Sequence, residues 1–330
     1  MSELCVAAFA AEQGVHLLEA PKDARFRAFA AGFDDAEYIR RLEARGLRWL
    51  PRSDPRFPAR LARIHDPPPG LFVRGSADPA LLERPSVAIV GARACSAYGS
   101  DVAVRLAREL AAAGVLVISG MARGVDAAAH RGALELGVTV AVLGCGVDRD
   151  YPVAHTQLAA RIAERGLILS EYAPGVEPAP WRFPARNRIV AGLAAATVVV
   201  EARERSGALI TADLALDEGR DVLAVPGEIT SALSHGTNGL LRLGATPVTC
   251  TPDVLEVLGV APPEPAAVVV PQVEPRIAAV HSAVVDTPAG VDDLVRRTGL
   301  GAGHVAAVLA ELELLGLVAQ ADGLYRGVRP

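Results

Sequence analysis

Short apolar runs recur through the central part of the sequence, between residues 86 and 249. Each run is too short for a buried helix, and most are followed directly by a turn that contains glycine. Continuous Val, Ile and Leu runs of this length are typical of strands buried on both faces of a parallel sheet. The runs are SVAIVG (86–91), VLVIS (115–119), TVAVLG (139–144), LILSE (167–171), TVVVE (197–201), DVLAVPG (221–227) and, more weakly, TPVT (246–249). Because helical stretches separate them, the pattern predicts an α/β fold with an extended, Rossmann-like parallel sheet.

The sequence on either side of this sheet differs in character and predicts further domains. Residues 1–75 indicate a helical N-terminal region that continues into a proline-rich connector, and residues 76–260 hold the Rossmann-like domain. Residues 261–275 are rich in Pro and Ala, which is typical of a linker. Residues 276–330 contain three helical stretches followed by a strand-turn-strand, which predicts a C-terminal winged-helix domain.

Composition excludes several classes of protein. The 330 residues are 51% hydrophobic and 22% charged, which is typical of a globular protein and excludes wholesale disorder. No apolar run approaches the roughly 18 residues of a membrane span, and no basic segment precedes the first apolar run as in a signal peptide. The four cysteines are scattered without a CxxC pair, which argues against a disulfide scaffold and a zinc site. These features predict a cytoplasmic protein without a membrane segment.

Charge restricts how this chain can bind nucleic acid. The net charge is −5, so an attraction spread over the whole surface is excluded and any contact with DNA must be focal. Lys22 is the only lysine, and its surroundings fit neither a Walker A loop nor a Schiff-base site. All other basic side chains are arginines, whose planar fork of donors suits phosphate contacts better than proton transfer.

Glycines, serines and arginines cluster where the predicted strands end. In an open parallel sheet, ligands bind at the carboxyl ends of the strands, close to the N-termini of the following helices. Glycine lets the backbone approach a ligand closely, while free amides and helix N-termini favour an anion. The sequence therefore predicts a DNA- or phosphate-binding crevice formed by Gly91, Arg93, Ser119, Gly120, Gly124, Gly144, Gly146, Arg182, Arg186, Asn187, Arg188, Arg203, Ser206 and Gly207.

The same residues could instead have a purely structural role. The glycines could simply form tight turns, and Arg182, Arg186 and Arg188 could pair with Glu171, Glu177 or Glu201. Asp126 and His130 are four residues apart on a predicted helix, where they could hydrogen-bond each other and stabilise the fold. No metal-binding constellation and no GxSxG nucleophile turn occurs, so we expect neither a metal, a cofactor nor an enzymatic activity.

Eight motifs in order make the chain resemble the DprA/Smf family of DNA-processing proteins. They span roughly residues 50–250 and comprise the connector DPRFPARLARIHDPPPGLFVRG, VAIVGARACSAYG, ISGMARGVDAAAHRGAL, TVAVLGCGVDRDYP, ILSEYAPG, FPARNRIVAGL, VVVEARERSGALITADLALDEGRDVLAVPG and SHGTNGLLRLGA. The resemblance implies sequence-independent binding of single-stranded DNA, a homodimer, and loading of the RecA recombinase onto incoming DNA in natural transformation. It also implies that Arg93, Arg182 or Arg186, and Arg203 line the DNA groove.

Two regions depart from the family pattern. Residues 1–45 lack the Gly-x-Gly turn of a helix-hairpin-helix, which argues against a separate DNA-binding role there. The recognition helix of the winged-helix domain, GHVAAVLAELELLG, has two glutamates and no arginine. Because a helix in a major groove should bring positive charge to the phosphates, we interpret this domain as a protein-contact or packing module.

Two other functions compete with DNA binding. The first is a nucleotide-processing enzyme like the Lonely-Guy phosphoribohydrolases, which share a similar sheet and carry a PGGxGTxxE motif. PGEITSALSHGTNGLL (226–241) does not complete that motif, although Glu201 and Glu228 remain candidate acids at strand ends. The second is a transcription factor that acts through the winged helix, and this is the weakest interpretation.

Overall fold

The computed structural model describes residues 2–13, 23–261, 275–315, 317–321 and 323–327. The chain divides into two compact units, Met1–Pro263 and Glu264–Pro330. Most of the predicted linker, residues 262–274, lies outside the described residues.

A nine-stranded sheet forms the centre of the first unit. Its spatial order is β1-β2-β6-β5-β4-β3-β7-β8-β9, and the seven strands from β3 to β9 are parallel. Each of these seven coincides with one of the predicted apolar runs, with β7 starting one residue earlier, which confirms the Rossmann-like fold class. The strands are β1 (Leu47–Pro51), β2 (Gly70–Arg74), β3 (Ser86–Val90), β4 (Leu116–Ser119), β5 (Thr139–Val142), β6 (Leu167–Ser170), β7 (Ala196–Val199), β8 (Asp221–Ala224) and β9 (Thr246–Pro247).

Helices cover both faces of this sheet, which explains why its strands are apolar throughout. Along β3, Ala88 and Val90 belong to one buried cluster, whereas Val87 and Ile89 belong to another on the opposite face. The first cluster is completed by α4, α8 and α9, and the second by α5, α6 and α11. The helices of this unit are α1 (Glu3–Gln13), α2 (Ala24–Ala31), α3 (Asp35–Glu43), α4 (Ala59–Ala62), α5 (Ala97–Ala112), α6 (Val125–Leu136), α7 (Thr156–Arg165), α8 (Arg182–Leu193), α9 (Gly207–Asp217), α10 (His235–Arg242) and α11 (Thr251–Val257).

Residues 1–75 contribute two strands that the sequence did not predict, β1 just before the proline-rich connector and β2 at its end. β1 and β2 form an antiparallel pair, and β2 then pairs antiparallel with β6 at the edge of the sheet. Between them, Leu61 and Ile64 are buried in the core beneath α8, where Gly192 leaves room for both side chains. The proline-rich segment is therefore an integral part of the sheet and its core.

The second unit has the architecture predicted for residues 276–330. Three helices are followed by an antiparallel ribbon, and the helices enclose a small core of Val280, Val284, Leu294, Val305 and Leu309. The elements are α12 (Pro275–Asp286), α13 (Val291–Thr298), α14 (Ala302–Leu314), β10 (Val318–Ala321) and β11 (Leu324–Gly327). Across both units, none of the described helices is long and apolar enough to cross a membrane.

Candidate phosphate-binding groove

A groove runs along the carboxyl edge of the parallel sheet. It consists of two adjoining cavities of about 320 Å³ and about 650 Å³. Both are lined by Arg93, Gly120, Ala122, Phe183 and Arg186, so they form one continuous depression that we call the groove.

The topology of the sheet creates this groove. From β3 the chain moves outward through β4, β5 and β6, and it then returns so that β7 pairs with β3. The helices that follow these two strands, α5 and α9, pack on opposite faces of the sheet. Such a switch point leaves a crevice outside the strand ends, which is where open α/β sheets bind their ligands.

Three exposed arginines lie around the smaller of the two cavities that form the groove. Arg93 follows β3, whereas Arg203 and Arg205 lie in the turn between β7 and α9. No carboxylate of the described residues forms an ion pair with any of the three. Arg205 was not among the predicted residues, although its position two residues after Arg203 in one turn could have indicated it.

An aromatic stack supports Arg93 at the rim. The Cζ atom of its guanidinium lies 5.5 Å from the ring centroid of Phe183. The Phe183 ring in turn stacks on Tyr151, with ring centroids 5.4 Å apart and an interplanar angle of 23°. The positive charge of Arg93 is therefore held over the groove by a cation–π contact.

The N-terminus of α9 opens into the same part of the groove. Ser206 caps this helix, and its Oγ accepts a hydrogen bond from the Ala208 amide at 3.3 Å. Gly207 is the exposed first residue, and the Asn187 side chain donates to its carbonyl at 3.3 Å. The positive end of the helix dipole therefore reinforces the three arginines.

Arg186 forms part of the groove floor. Its side chain is 4% exposed, and its Nη1 donates to the carbonyls of Gly120 and Val142. Burial lowers the pKa of Arg186, while the negative charge of Asp126 opposes this shift. A Cβ atom at position 120 would lie 2.4 Å from Nη1 of Arg186, so a larger residue there would displace the guanidinium. Arg186 is thus a fixed positive charge beneath the exposed arginines.

Asp126 and His130 do not pair with each other, which corrects the sequence-based expectation. The Asp126 carboxylate accepts a hydrogen bond from the Ala122 amide at 3.2 Å, within the turn after β4. Nδ1 of His130 lies 2.8 Å from Oγ1 of Thr139. Burial raises the pKa of Asp126, although the neighbouring Arg186 charge acts in the opposite direction. Each residue therefore stabilises a different part of the fold.

Of three further predicted glycines, two line the groove where the packing is close, and the third lies outside it. Gly91 lines the groove, and a Cβ there would lie 2.6 Å from the side chain of Val125. Gly144 lines the larger cavity of the groove, where a Cβ would lie 3.1 Å from the Phe183 ring. Gly124 caps the start of α6 at φ +74°, but it lines neither cavity.

Two predicted residues near the strand ends are turned away from the groove, which corrects their proposed role. Ser119 is fully buried, and its hydroxyl donates to the carbonyl of Ile89 at 2.7 Å. The Gly146 amide donates to the carbonyl of Val176 at 2.9 Å, and Gly146 lines neither cavity. Because both donors already have internal partners, neither can serve a phosphate.

Arg182 and Arg188 are also structural rather than groove-lining. Nη1 of Arg182 donates to the Glu177 carbonyl, and its guanidinium packs against the Tyr172 ring. Arg188 forms ion pairs with Glu171 at 2.7 Å and with Asp66 at 2.9 Å. Side-chain exposures of 9% for Arg188 and 4% for Glu171 show that their pair is buried. The alternative interpretation of carboxylate pairing therefore holds for Arg188.

The candidate acids of the hydrolase alternative do not line the groove. Glu201 is 5% exposed, and its carboxylate accepts hydrogen bonds from the Ser96 amide at 2.9 Å and the Ser96 hydroxyl at 2.6 Å. It thereby anchors the N-terminus of α5. Glu228 is exposed and lines neither cavity. Among the described residues, no group of three His, Cys, Asp or Glu side chains could hold a metal ion.

Comparison with known proteins identifies the family. The model of DNA recombination-mediator protein A matches residues 48–259, and the model of the DprA winged helix domain matches residues 261–323. The chain therefore belongs to the DprA family of DNA-processing proteins.

Individual relatives agree with this assignment. The chain is 46% identical over 200 residues to DNA processing protein DprA of Streptococcus pneumoniae, an alignment that covers 60% of this chain and 70% of that protein. It is 37% identical over 303 residues to protein Smf of Escherichia coli, covering 87% and 79% of the two chains.

Two solved structures have the same fold. The X-ray structure of Streptococcus pneumoniae DprA superposes with a TM-score of 0.67 at 38% identity, covering 77% of this chain and 92% of that one. The structure of DprA from Helicobacter pylori, a protein that binds single-stranded DNA, superposes with a TM-score of 0.57 at 34% identity. That match covers 61% of this chain and 92% of the other.

Proposed function

We propose that the groove binds the phosphate backbone of single-stranded DNA without regard to sequence. The observation that carries this proposal is the convergence of Arg93, Arg203 and Arg205 around one groove, exposed and with no carboxylate partner among the described residues, in a chain of net charge −5. In an acidic protein, such a local excess of positive charge marks where an anion binds. The single-strand binding of the Helicobacter pylori relative supports the same ligand.

The residues of the groove act by binding and positioning. Arg93, Arg203 and Arg205 offer planar forks of N–H donors to phosphate oxygens, and the first turn of α9 adds its dipole. Arg186 adds a buried charge that stays fixed because two carbonyls hold it. Phosphate contacts carry no base information, so the binding is independent of sequence. Cavities of about 320 Å³ and about 650 Å³ have the size of small-ligand sites, and we propose that the groove admits a flexible single strand more readily than a duplex.

The test is a titration with labelled single- and double-stranded DNA of equal length, followed by fluorescence anisotropy. We expect tighter binding of the single strand, and Arg93→Ala or Arg203→Ala should each weaken it about tenfold through loss of a charge-assisted hydrogen bond. Arg161→Ala is the matched control, since Arg161 is exposed on α7 and lines neither cavity. Equal effects of Arg93→Ala and Arg161→Ala would place the DNA elsewhere.

We further propose that the protein acts as a homodimer and loads RecA onto incoming single-stranded DNA in natural transformation. Membership of the DprA family supports this role, because the resemblance at the sequence level implies it. Sedimentation equilibrium tests the dimer, and the rate of RecA assembly on single-stranded DNA with and without the protein tests the loading. A monomer, or an unchanged rate of assembly, would contradict the corresponding part.

A further inference from the structure

Trp181 is a large aromatic side chain left in solvent beside the groove. It caps the N-terminus of α8 and is 44% exposed. Trp181 itself lines neither cavity, but Phe183 and Arg186 in the first turns of α8 line both. Trp181 therefore lies at the end of α8 that borders the groove.

The Trp181 ring is held in place by a buried arginine. The Cζ atom of Arg182 lies 4.8 Å from the centroid of the Trp181 ring and 5.2 Å from that of Tyr172. The two rings meet edge to face, with centroids 6.3 Å apart. Arg182 is 8% exposed and is anchored to the Glu177 carbonyl. The ring is thus oriented by its contacts and still keeps nearly half of its surface in water.

Two other aromatic side chains of this region, Phe183 and Tyr98, already contact other groups of the protein. The Phe183 ring packs against both the Arg93 guanidinium and Tyr151. Tyr98 is exposed, but its hydroxyl donates to the Pro226 carbonyl at 3.2 Å. An oriented indole with an exposed surface is suited to stacking with a planar ligand, because little side-chain entropy remains to be lost on binding.

We propose that Trp181 stacks with a nucleobase of the strand whose phosphates lie in the groove. This inference rests on the proposed function and adds a contact that phosphates alone do not supply. A base is available for stacking on a protein ring only when it is not paired and stacked within a duplex. Trp181 therefore contributes to the preference for single strands, and it does so without selecting sequence, since every base has an aromatic face.

Intrinsic fluorescence provides a direct test, because the chain has two tryptophans, Trp49 and Trp181. Trp49 lies on β1 and packs on Phe72, with ring centroids 4.6 Å apart. The full-length Trp49→Phe protein therefore reports on Trp181 alone. It is titrated with oligothymidylate and with an abasic oligonucleotide of equal length, which has the same phosphates but no bases.

We expect oligothymidylate to quench Trp181 fluorescence and the abasic strand to leave it unchanged. By anisotropy, Trp181→Ala should weaken binding of oligothymidylate about fivefold, the lower end of the range for one stacked base, and leave affinity for the abasic strand as it was. Trp181→Phe keeps an aromatic face and should recover part of the loss, which separates stacking from misfolding. Trp49→Phe is the control for tryptophan replacement as such.

The inference is overturned if Trp181→Ala weakens both oligonucleotides equally or neither. If binding of the unmodified protein still depends on Arg93 in that case, the proposed function stands and only the stacking contact fails. If the unmodified protein binds neither strand, both are rejected.

Discussion

His130 is a fully buried histidine on α6. The Thr139 hydroxyl donates its single proton to the Val117 carbonyl at 2.8 Å, so Nδ1 of His130 must donate to Thr139 Oγ1. Burial, followed by the charges of Arg186, His155 and Arg131, lowers the pKa of His130 from 6.5 to about 3. The ring is therefore neutral in the folded protein at neutral pH.

This burial makes the free energy of unfolding depend on pH. Above about pH 6.5, His130 is neutral in both states and contributes no pH dependence. Between about 6.5 and about 3, the unfolded chain takes up a proton that the folded protein does not, so stability falls as the pH falls, by up to about 1.4 kcal/mol per pH unit. His130→Asn keeps a donor for Thr139 and removes the titration, so its stability should fall less steeply.

Urea denaturation at pH steps between about 7.5 and 4.5 measures this difference in slope. The control is His235→Asn, which replaces an exposed histidine at the start of α10. Comparing slopes rather than absolute stabilities removes the cost of the smaller side chain. Parallel profiles for the unmodified protein and His130→Asn would show that His130 is not kept neutral by burial.

The three arginines of α8 show what a sequence can and cannot reveal at this scale. Arg182, Arg186 and Arg188 lie within one short segment, and their positive charge predicted that this segment lies at a phosphate-binding crevice. Their partners are nevertheless an aromatic pair, two carbonyls at strand ends, and the carboxylates of Glu171 and Asp66. Because these partners come from distant parts of the chain, the sequence could not tell the groove residue from the structural ones.

At the level of elements, the turn between β4 and α6 depends on Gly124. This residue has φ +74°, and a Cβ there would lie 2.2 Å from the carbonyl oxygen of Ala92. Gly124→Ala combines backbone strain with a clash against backbone, and we expect it to lower the free energy of unfolding by at least about 2 kcal/mol. Gly207→Ala is the matched control, since no atom lies within 4 Å of its Cβ position. We expect a change below about 1 kcal/mol there.

Urea denaturation of both variants gives the comparison. Equal stability losses would mean that the turn relaxes around the added methyl group, and that the tight contact between Gly124 and Ala92 does not hold α6 against β3.

Elements differed in how well the sequence predicted them. The seven parallel strands were found because burial on both faces makes them continuously apolar. β1 and β2 were missed because prolines surround them, and because β2 joins the sheet through β6, almost a hundred residues later in the chain. In the groove, Arg93 and Arg203 follow strand ends that the sequence shows, whereas the packing of Phe183 under Arg93 depends on how α8 lies against β3.

For the whole molecule, the contrast between net charge and local charge determines the response to salt. The protein carries a net charge of −5, yet around the groove lie three arginines that form no ion pair within the described part of the chain. About three phosphate contacts to a single strand predict a slope of about −2 in a plot of log affinity against log salt concentration. Arg203→Ala should make that slope shallower by about 0.7.

Anisotropy titrations at several salt concentrations provide this measurement, with Arg161→Ala as the variant whose slope should match the unmodified protein. A much steeper slope would require more contacts than these three arginines provide, and it would extend the DNA path beyond the groove.

The return of the chain from β6 to β7 also determines when the site can exist during synthesis. Arg93 lies in the first half of the sheet, but β3 pairs with β7, where Val87 lies opposite Ala196, more than a hundred residues later. β3 cannot pair with β7 before β7 has been synthesised, and closing so long a loop is entropically unfavourable. This pairing therefore forms late. On a ribosome, a nascent chain that ends before β7 holds half of a groove, and the site proposed for single-stranded DNA is complete only once the second half of the sheet has emerged.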